Sequence, residues 1–271
     1  MIDSSASLQK HVVLATRPQH QLAEFNGLLE AGGYSMLGFP CIEIRSVEMN
    51  PQLEKTLRSI NDYDLIIFIS ANAVHQALNL LQSLDIKSAD VSTKIATIGK
   101  ATYKVAMDAG FNVSISPQQG FNSESLLALH ALQAVQIDQS HCLIIRGVGG
   151  LEQLADELRL RGAQVDYAQV YRREKPLNDS TVQRQQLSAN WDSFGIDAIT
   201  VTSSESLQNL YDMLELSNDS LVSQSAIMAT LIIAASERIA QRAESLGFKR
   251  IFCAQSATNQ HMLDALNCAF E

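Results

Sequence analysis

Apolar residues recur along this chain in two rhythms. Short, nearly unbroken runs occur at His11–Ala15, Asp64–Ile69, Lys94–Ile98, Phe111–Ser116, Leu143–Ile145, Asp197–Thr202 and Arg250–Ala254, with another inside Ala226–Ala235. Such runs predict strands buried on both faces. Between them lie stretches of helical spacing. In Gln19–Ala31, Leu22, Phe25, Leu28 and Leu29 share one face, and Gly32-Gly33 stops the run. Further helices are predicted at Asn50–Ile60 (opened by Asn50-Pro51), Val74–Leu84, Gly99 to Gly110, Ser123–Ala134, Leu151–Arg161, Leu177–Trp191, Glu205–Leu214, the run closed by Gly247, and Asn259–Asn267. Tyr34–Arg45 reads as extended and residues 1–10 as a loose tail. Alternating strands and helices predict an α/β protein with parallel sheets covered on both faces.

One unit stands out. Leu143–Pro176 reads as a buried strand, a glycine-rich turn (Arg146–Gly150), an amphipathic helix, a turn at Gly162 and an extended run ending in Val170–Tyr171. The turn sets Arg146 and backbone N–H groups where open α/β sheets receive ligands and where an anion meets a favourable helix dipole. The unit occurs twice. With Arg17 laid on Arg146, Leu22 falls on Leu151, Phe25 on Leu154, Leu29 on Leu158 and Gly33 on Gly162. Asp64–Ser70 likewise matches Asp197–Ser203, and Gly110-Phe111 matches Gly247-Phe248. The period is too long for a solenoid and predicts two similar α/β domains. Sequence alone would split them in tandem near residue 139. Each carries Arg, Ser or Thr at strand ends beside helix N-termini, and two such edges facing each other would form a cleft. Ser70 and Ser203 also suit plain helix capping, and Gly147, Gly149 and Gly150 suit a plain turn.

Composition narrows the classes. The 271 residues suffice for two small domains, and 46% hydrophobic with 18% charged residues is ordinary globular usage. A net charge of −9 argues against nonspecific nucleic-acid binding but leaves room for a small anionic ligand in a local basic site. Cys41, Cys142, Cys253 and Cys268 form no CxxC pair and read as reduced thiols of a cytoplasmic protein. The six His show no metal-ligand spacing. Met1–Gln9 is too polar for a signal peptide, and the ten-residue run Ala226–Ala235 is far short of the ~20 a membrane span needs. Counting G-x-G-x-x-G from Gly147 puts Glu152 at the last glycine, which speaks against a dinucleotide, and no Walker motif occurs. No Ser/His/Asp or Cys/His set suggests covalent hydrolysis.

In sequence the chain resembles the uroporphyrinogen-III synthases of tetrapyrrole biosynthesis. The matching pieces are Thr16-Arg17-Pro18, Phe68–Val74, Ile98–Thr102, Asn122–Leu127, Arg146-Gly147-x-Gly149-Gly150, Val170–Arg173 with Pro176, and Val201–Ser204. They follow the family's order across nearly the whole chain. One departure is Ser236–Ile239, which stands where the family often has the Gly-Pro-x-Thr turn equivalent to Gly99–Thr102. The resemblance implies one domain inserted in the other. Residues 1–38 plus 176–271 would form the outer flavodoxin- or Rossmann-like domain, 46–167 the inner one, and 39–45 with 168–175 a two-stranded antiparallel ladder acting as a hinge.

The implied activity is that of a lyase. Hydroxymethylbilane closes to uroporphyrinogen III with loss of water and inversion of the terminal ring, without a cofactor. An acid assists departure of the hydroxyl, an azafulvene-type cation forms, and a spiro intermediate breaks and recloses. Tyr171 is the expected acid, since a phenol stays protonated near neutrality. Arg17, Ser70, Asn72, Lys100, Thr102, Arg146, Gly147, Gly149, Ser203 and Ser204 are the expected substrate-binding residues, with Arg172 and Arg173 as further partners for carboxylates. A monomer is expected, receiving its substrate by transient hand-over from hydroxymethylbilane synthase, with no nucleic-acid or membrane partner. The rival is a non-catalytic two-lobed binding or sensor protein for an anionic small molecule, which would capture ligand without turnover.

Overall fold

The computed structural model describes residues 10–120, 122–150, 152–176, 187, 189–217 and 223–271. The expected N-terminal tail (residues 1–9), Leu151 and most of the helix expected over Leu177–Trp191 lie outside them. The chain divides into two compact units, one formed by the stretches up to Glu43 and from Glu174 onward, the other by Ile44–Arg173.

The first unit holds a five-stranded sheet. Its strands are β1 (Val12–Ala15), β2 (Ser35–Gly38), β9 (Ile196–Val201), β10 (Leu231–Ala234) and β11 (Arg250–Cys253), in the order β11-β10-β9-β1-β2. All neighbours are parallel. The second unit holds a six-stranded sheet of β3 (Glu43–Ser46), β4 (Leu65–Phe68), β5 (Lys94–Thr97), β6 (Val113–Ile115), β7 (His141–Gly147) and β8 (Gln164–Glu174), in the order β3-β8-β7-β4-β5-β6. From β8 to β6 the pairs are parallel. Counted from β1, the first sheet has the doubly wound order 2-1-3-4-5. Counted from β7, the second has the same order, so its chain path is a circular permutation of the first, with β3 added along β8.

Helices cover the sheets because their apolar stripes fit. In the first unit these are α1 (Gln19–Ala31), α8 (Trp191–Phe194), α9 (Ser204–Met213), α10 (Gln224–Ala229), α11 (Glu237–Ser245) and α12 (Asn259–Phe270). In the second they are α2 (Pro51–Arg58), α3 (Ala71–Ser83), α4 (Lys100–Asp108), α5 (Ser123–Leu127), α6 (Ala134–Ile137) and α7 (Gln153–Leu160). α1 buries Leu22, Phe25 and Leu29; α3 buries Ala73, Val74, Ala77, Leu80 and Leu81. Capping follows the expected chemistry. Asn50 Oδ1 accepts the Leu53 N–H at 2.9 Å ahead of Pro51, and Ser203 Oγ accepts the Ser206 N–H at 3.0 Å. The first unit has one core, built on Val13, Leu14, Phe25, Ile199 and Ile232. The second has a layer on each sheet face, one around Ile66, Phe68 and Tyr171, the other around Ile67, Ile144 and Leu158.

Two expectations need correction, and two others gain detail. The helix over Ser123–Ala134 is broken into α5, a 3-10 turn at His130–Leu132 and α6. Side chains take the carbonyls so released: Gln133 Nε2 donates to Leu127 O at 2.9 Å, and Arg161 Nη1 to Leu127 O at 2.6 Å and Leu132 O at 2.8 Å. Arg146 and Gly147 belong to β7 and not to a turn, because β8 keeps pairing with them as far as Tyr171. Tyr34–Arg45 is two strands in two different sheets. The run leading into β10 is helical (α10), its last carbonyls meeting the Thr230 N–H and hydroxyl.

Candidate active site

In doubly wound sheets ligands bind beyond the carboxyl ends of the strands where the order reverses. In the second unit this point lies between β7 and β4, and Ser70, Gly147 and Tyr171 meet there. Ser70 follows β4 and opens α3, its Oγ accepting the Ala73 N–H at 3.1 Å. Tyr171 comes from β8. Up to Gln169 the strand pairs regularly with β7, but Arg146 stands opposite Gln169 and Gly147 opposite Tyr171, so Val170 is skipped. A β-bulge of this kind re-aims a side chain. Val170 and Tyr171 are therefore both buried in succession, and without the shift Tyr171 would share the exposed face of Gln169. The Tyr171 hydroxyl lies 3.2 Å from Ser70 Oγ. Gly147 lies against the phenol ring. A Cβ there would stand 2.8 Å from Tyr171 Cε2 and Cζ, too close for any side chain. The Val148 N–H bonds Tyr171 O at 2.7 Å and fixes the backbone behind the ring.

Arg146, expected as an anion clamp, is held by partners within the fold. It is 3% exposed. Its Nη1 meets Glu152 Oε1 at 3.1 Å, its Nη2 donates to Gly149 O, and the guanidinium lies 4.9 Å from the Tyr167 ring centroid. It ties the 148–150 turn to the end of β7. Gly150 stands at φ 110, a backbone conformation that other residues rarely adopt, with Arg146 Nη2 2.5 Å from where a Cβ would be. Tyr167 donates its hydroxyl to Glu152. That bond, and then the Arg146 charge, hold the Glu152 carboxyl below its usual range, while burial and Glu152 push the Tyr167 phenol up. Glu152 and Tyr167 were missed in the sequence. The only signal was Glu152 replacing the last glycine of a G-x-G-x-x-G count.

The remaining candidates are spread out. Asn72 is half-buried in the first turn of α3, and Gly149 and Lys100 are exposed, Lys100 opening α4. Arg172 and Arg173 are exposed beyond Tyr171. Thr102 is 5% exposed and faces the core, as Ile239 does at 3% on α11. An apolar residue at the second position is thus compatible with the core, and Thr102 stands buried in the first turn of α4. In the first unit, the reversal between β1 and β9 brings Thr16 and Thr200 together, the Thr16 hydroxyl donating to Thr200 O at 2.8 Å. Arg17 is buried, donates to Ala257 O at 2.8 Å and lies 4.8 Å from the Phe25 ring centroid. Burial lowers its pKa, and its Nε finds no acceptor among the described residues. Ser203 caps α9 and lies 2.8 Å from the Ser206 hydroxyl; Ser204 is half-buried beside it. Among the described residues no cluster of His, Cys, Asp and Glu could hold a metal ion, and no helix is long and apolar enough to cross a membrane.

A family model described as uroporphyrinogen-III synthase HemD matches residues 23–264. The chain belongs to the uroporphyrinogen-III synthase family. The uroporphyrinogen-III synthase of Escherichia coli K12 is 30% identical over 254 residues, covering 94% of this chain and 99% of that one. That of Salmonella typhimurium LT2 is 30% identical over 255 residues with the same coverage, 94% and 99%. Among solved structures, the Helicobacter pylori enzyme superposes with a TM-score of 0.59 at 15% identity, covering 97% of this chain and 100% of that chain. A mutant Thermus thermophilus uroporphyrinogen III synthase gives 0.58 at 15%, covering 96% and 98%. The two structural matches share the two-domain α/β fold with this family member. The family resemblance carried by the motifs is met, and the non-catalytic binder is not favoured.

Proposed function

We propose that this chain is the lyase that closes hydroxymethylbilane to uroporphyrinogen III, and that the Ser70–Tyr171 pair supplies the acid. The observation that carries the assignment of the acid is the 3.2 Å contact between the two hydroxyls at the strand-order reversal, aimed by the β8 bulge. The leaving group is a poor one, hydroxide, and must depart as water. A positioned acid contributes about 10²–10⁴-fold to such a step. Electrons from the adjacent pyrrole nitrogen expel the water and leave an azafulvene-type cation. The terminal ring attacks through its substituted carbon, the spiro intermediate reopens, and reclosure through the unsubstituted carbon releases a proton.

The free substrate closes on its own to the uninverted isomer. The protein must therefore steer one closure ahead of another, by holding the chain folded over the acid. The exposed Lys100 and Arg172 suit the substrate's carboxylates better than the buried Arg17 and Arg146, which are engaged within the fold. The same instability favours a cytoplasmic monomer that takes its substrate from the preceding synthase.

The test is an isomer assay. Hydroxymethylbilane is generated in situ, the protein is added in catalytic amount, and the oxidised products are separated into type I and type III uroporphyrin. Predominantly type III is expected. Type I alone, from folded protein, would overturn the assignment and put the rival binder ahead of it.

A further inference from the structure

We infer that within the acid pair Ser70 hands the proton to the departing hydroxyl, and Tyr171 stands behind it and restocks it. The inference rests on the pair being the acid and assigns the order of its two members. Accessibility comes first. Tyr171 is 2% exposed and belongs to the same core layer as Phe68, Val74 and Val170, with Gly147 pressed against its hydroxyl end. Ser70 is partly exposed at the end of β4. A substrate reaching this edge meets the serine hydroxyl before the phenol.

The hydrogen inventory points the same way. A serine oxygen accepts twice and donates once. The Ala73 N–H takes one acceptor position at 3.1 Å. With Tyr171 donating across 3.2 Å, the second is filled. The Ser70 hydrogen is then directed away from both donors, free for the substrate. The opposite polarity, Ser70 donating to the phenol, would leave the transferable hydrogen on Tyr171, inside a nearly closed site.

The step balances without a co-reactant. The carbon–oxygen bond of the hydroxymethyl group breaks, and the oxygen leaves as water with the Ser70 hydrogen. Ser70 Oγ takes the Tyr171 hydrogen, and the phenolate left behind is stabilised by the re-formed serine O–H. When the inverted ring recloses, the hydrogen lost from its unsubstituted carbon returns through Ser70 to Tyr171. One water is released and both hydroxyls are restored.

Five variants decide the order in the isomer assay: Ser70→Gly, Ser70→Asp, Ser70→Thr, Tyr171→Phe and the Ser70→Gly/Tyr171→Phe double. Glycine is a tolerable N-cap, costing only a few tenths of a kcal/mol relative to serine. Ser70→Asp is the second probe, since an aspartate keeps the cap but has no hydrogen to give. Urea midpoints establish that each variant is folded. Loss of the terminal donor is expected to lower kcat for type III by about 100-fold in Ser70→Gly and Ser70→Asp, with KM little changed. Tyr171→Phe should lose about 10-fold, the double should be no worse than Ser70→Gly, and Ser70→Thr should regain most of the rate. A larger loss in Tyr171→Phe than in Ser70→Gly would overturn the order and make the phenol the direct donor. So would additive losses in the double, failure of threonine to rescue, or an effect of Ser70→Gly on KM alone. Unchanged kcat in both folded single variants would instead sink the acid pair itself.

Discussion

Gly147 shows how narrowly one residue sets the site. Its backbone has no need of glycine's freedom; what demands glycine is the phenol ring 2.8 Å from where a Cβ would stand. Gly147→Ala is expected to push Tyr171 off its contact with Ser70. Overpacking of this kind costs about 1–3 kcal/mol, and the rate of type III formation should fall at least ~10-fold, within the range an acid contributes. Calorimetry and the isomer assay would separate the two effects. A full rate in a destabilised Gly147→Ala would show that the ring needs no such restraint. The sequence revealed that this glycine mattered, but for another reason. A Gly-rich run after an apolar strand reads as a turn offering N–H groups, and its true neighbour, Tyr171, is placed by a bulge in β8 that no local pattern announces. Arg146 was legible as important on the same grounds. Its burial beneath Tyr167 and its partner Glu152 were not, because both depend on how the turn closes.

Among the elements, the regular pairs were legible and the interrupted one was not. Strands β4, β5, β7, β9 and β10 lie where unbroken apolar runs predicted them, since burial on both faces leaves no room for polar residues. The residues over Ser123–Ala134 have helical composition, yet the helix breaks, because its freed carbonyls are satisfied from α7's end by Arg161. The same guanidinium bonds Glu157 through Nε at 2.9 Å and Nη2 at 2.8 Å. Arg161→Leu leaves two carbonyls and a carboxylate without this donor, and is expected to cost about 2–3 kcal/mol, as for hydrogen bonds to a charged group. Arg161→Lys should recover only part, because an ammonium lacks the planar fork that serves all three acceptors. Urea midpoints of the two variants test this. Equal stability of wild type and Arg161→Leu would mean that water replaces the side chain at no cost.

At the scale of the molecule, the repeat was legible because two copies of one βα unit kept their Arg, apolar and Gly positions. The permutation was not, since an overlay matches pieces whatever order the chain visits them in. The consequence is a unit with its two ends on adjacent strands, β3 and β8. Among the described residues, its core layers draw on residues between Ile44 and Tyr171, and the other core on residues outside that span. A unit with its own core and neighbouring termini has what independent folding requires. The fragment Ile44–Arg173 is therefore expected to unfold cooperatively in urea. It also carries an internal marker. Burial, reinforced by the bond to Asp166, pushes the Tyr63 phenol up to about 12, and burial with the Asp64 charge pushes the Cys142 thiol up to about 11. Both groups hold their protons more tightly folded than unfolded, where the ordinary values are 10.0 and 9.0. Their contribution is intact below about 9 and is lost as pH rises through about 11 for the thiol and 12 for the phenol. The fragment's urea midpoint should fall across this window, Cys142→Ala flattening its lower part and Tyr63→Phe its upper part. A gradual, non-cooperative transition would show that the unit needs the rest of the chain to fold. A cooperative transition whose midpoint ignores alkaline pH would show instead that the unit folds alone but that neither group is held as tightly as its burial requires.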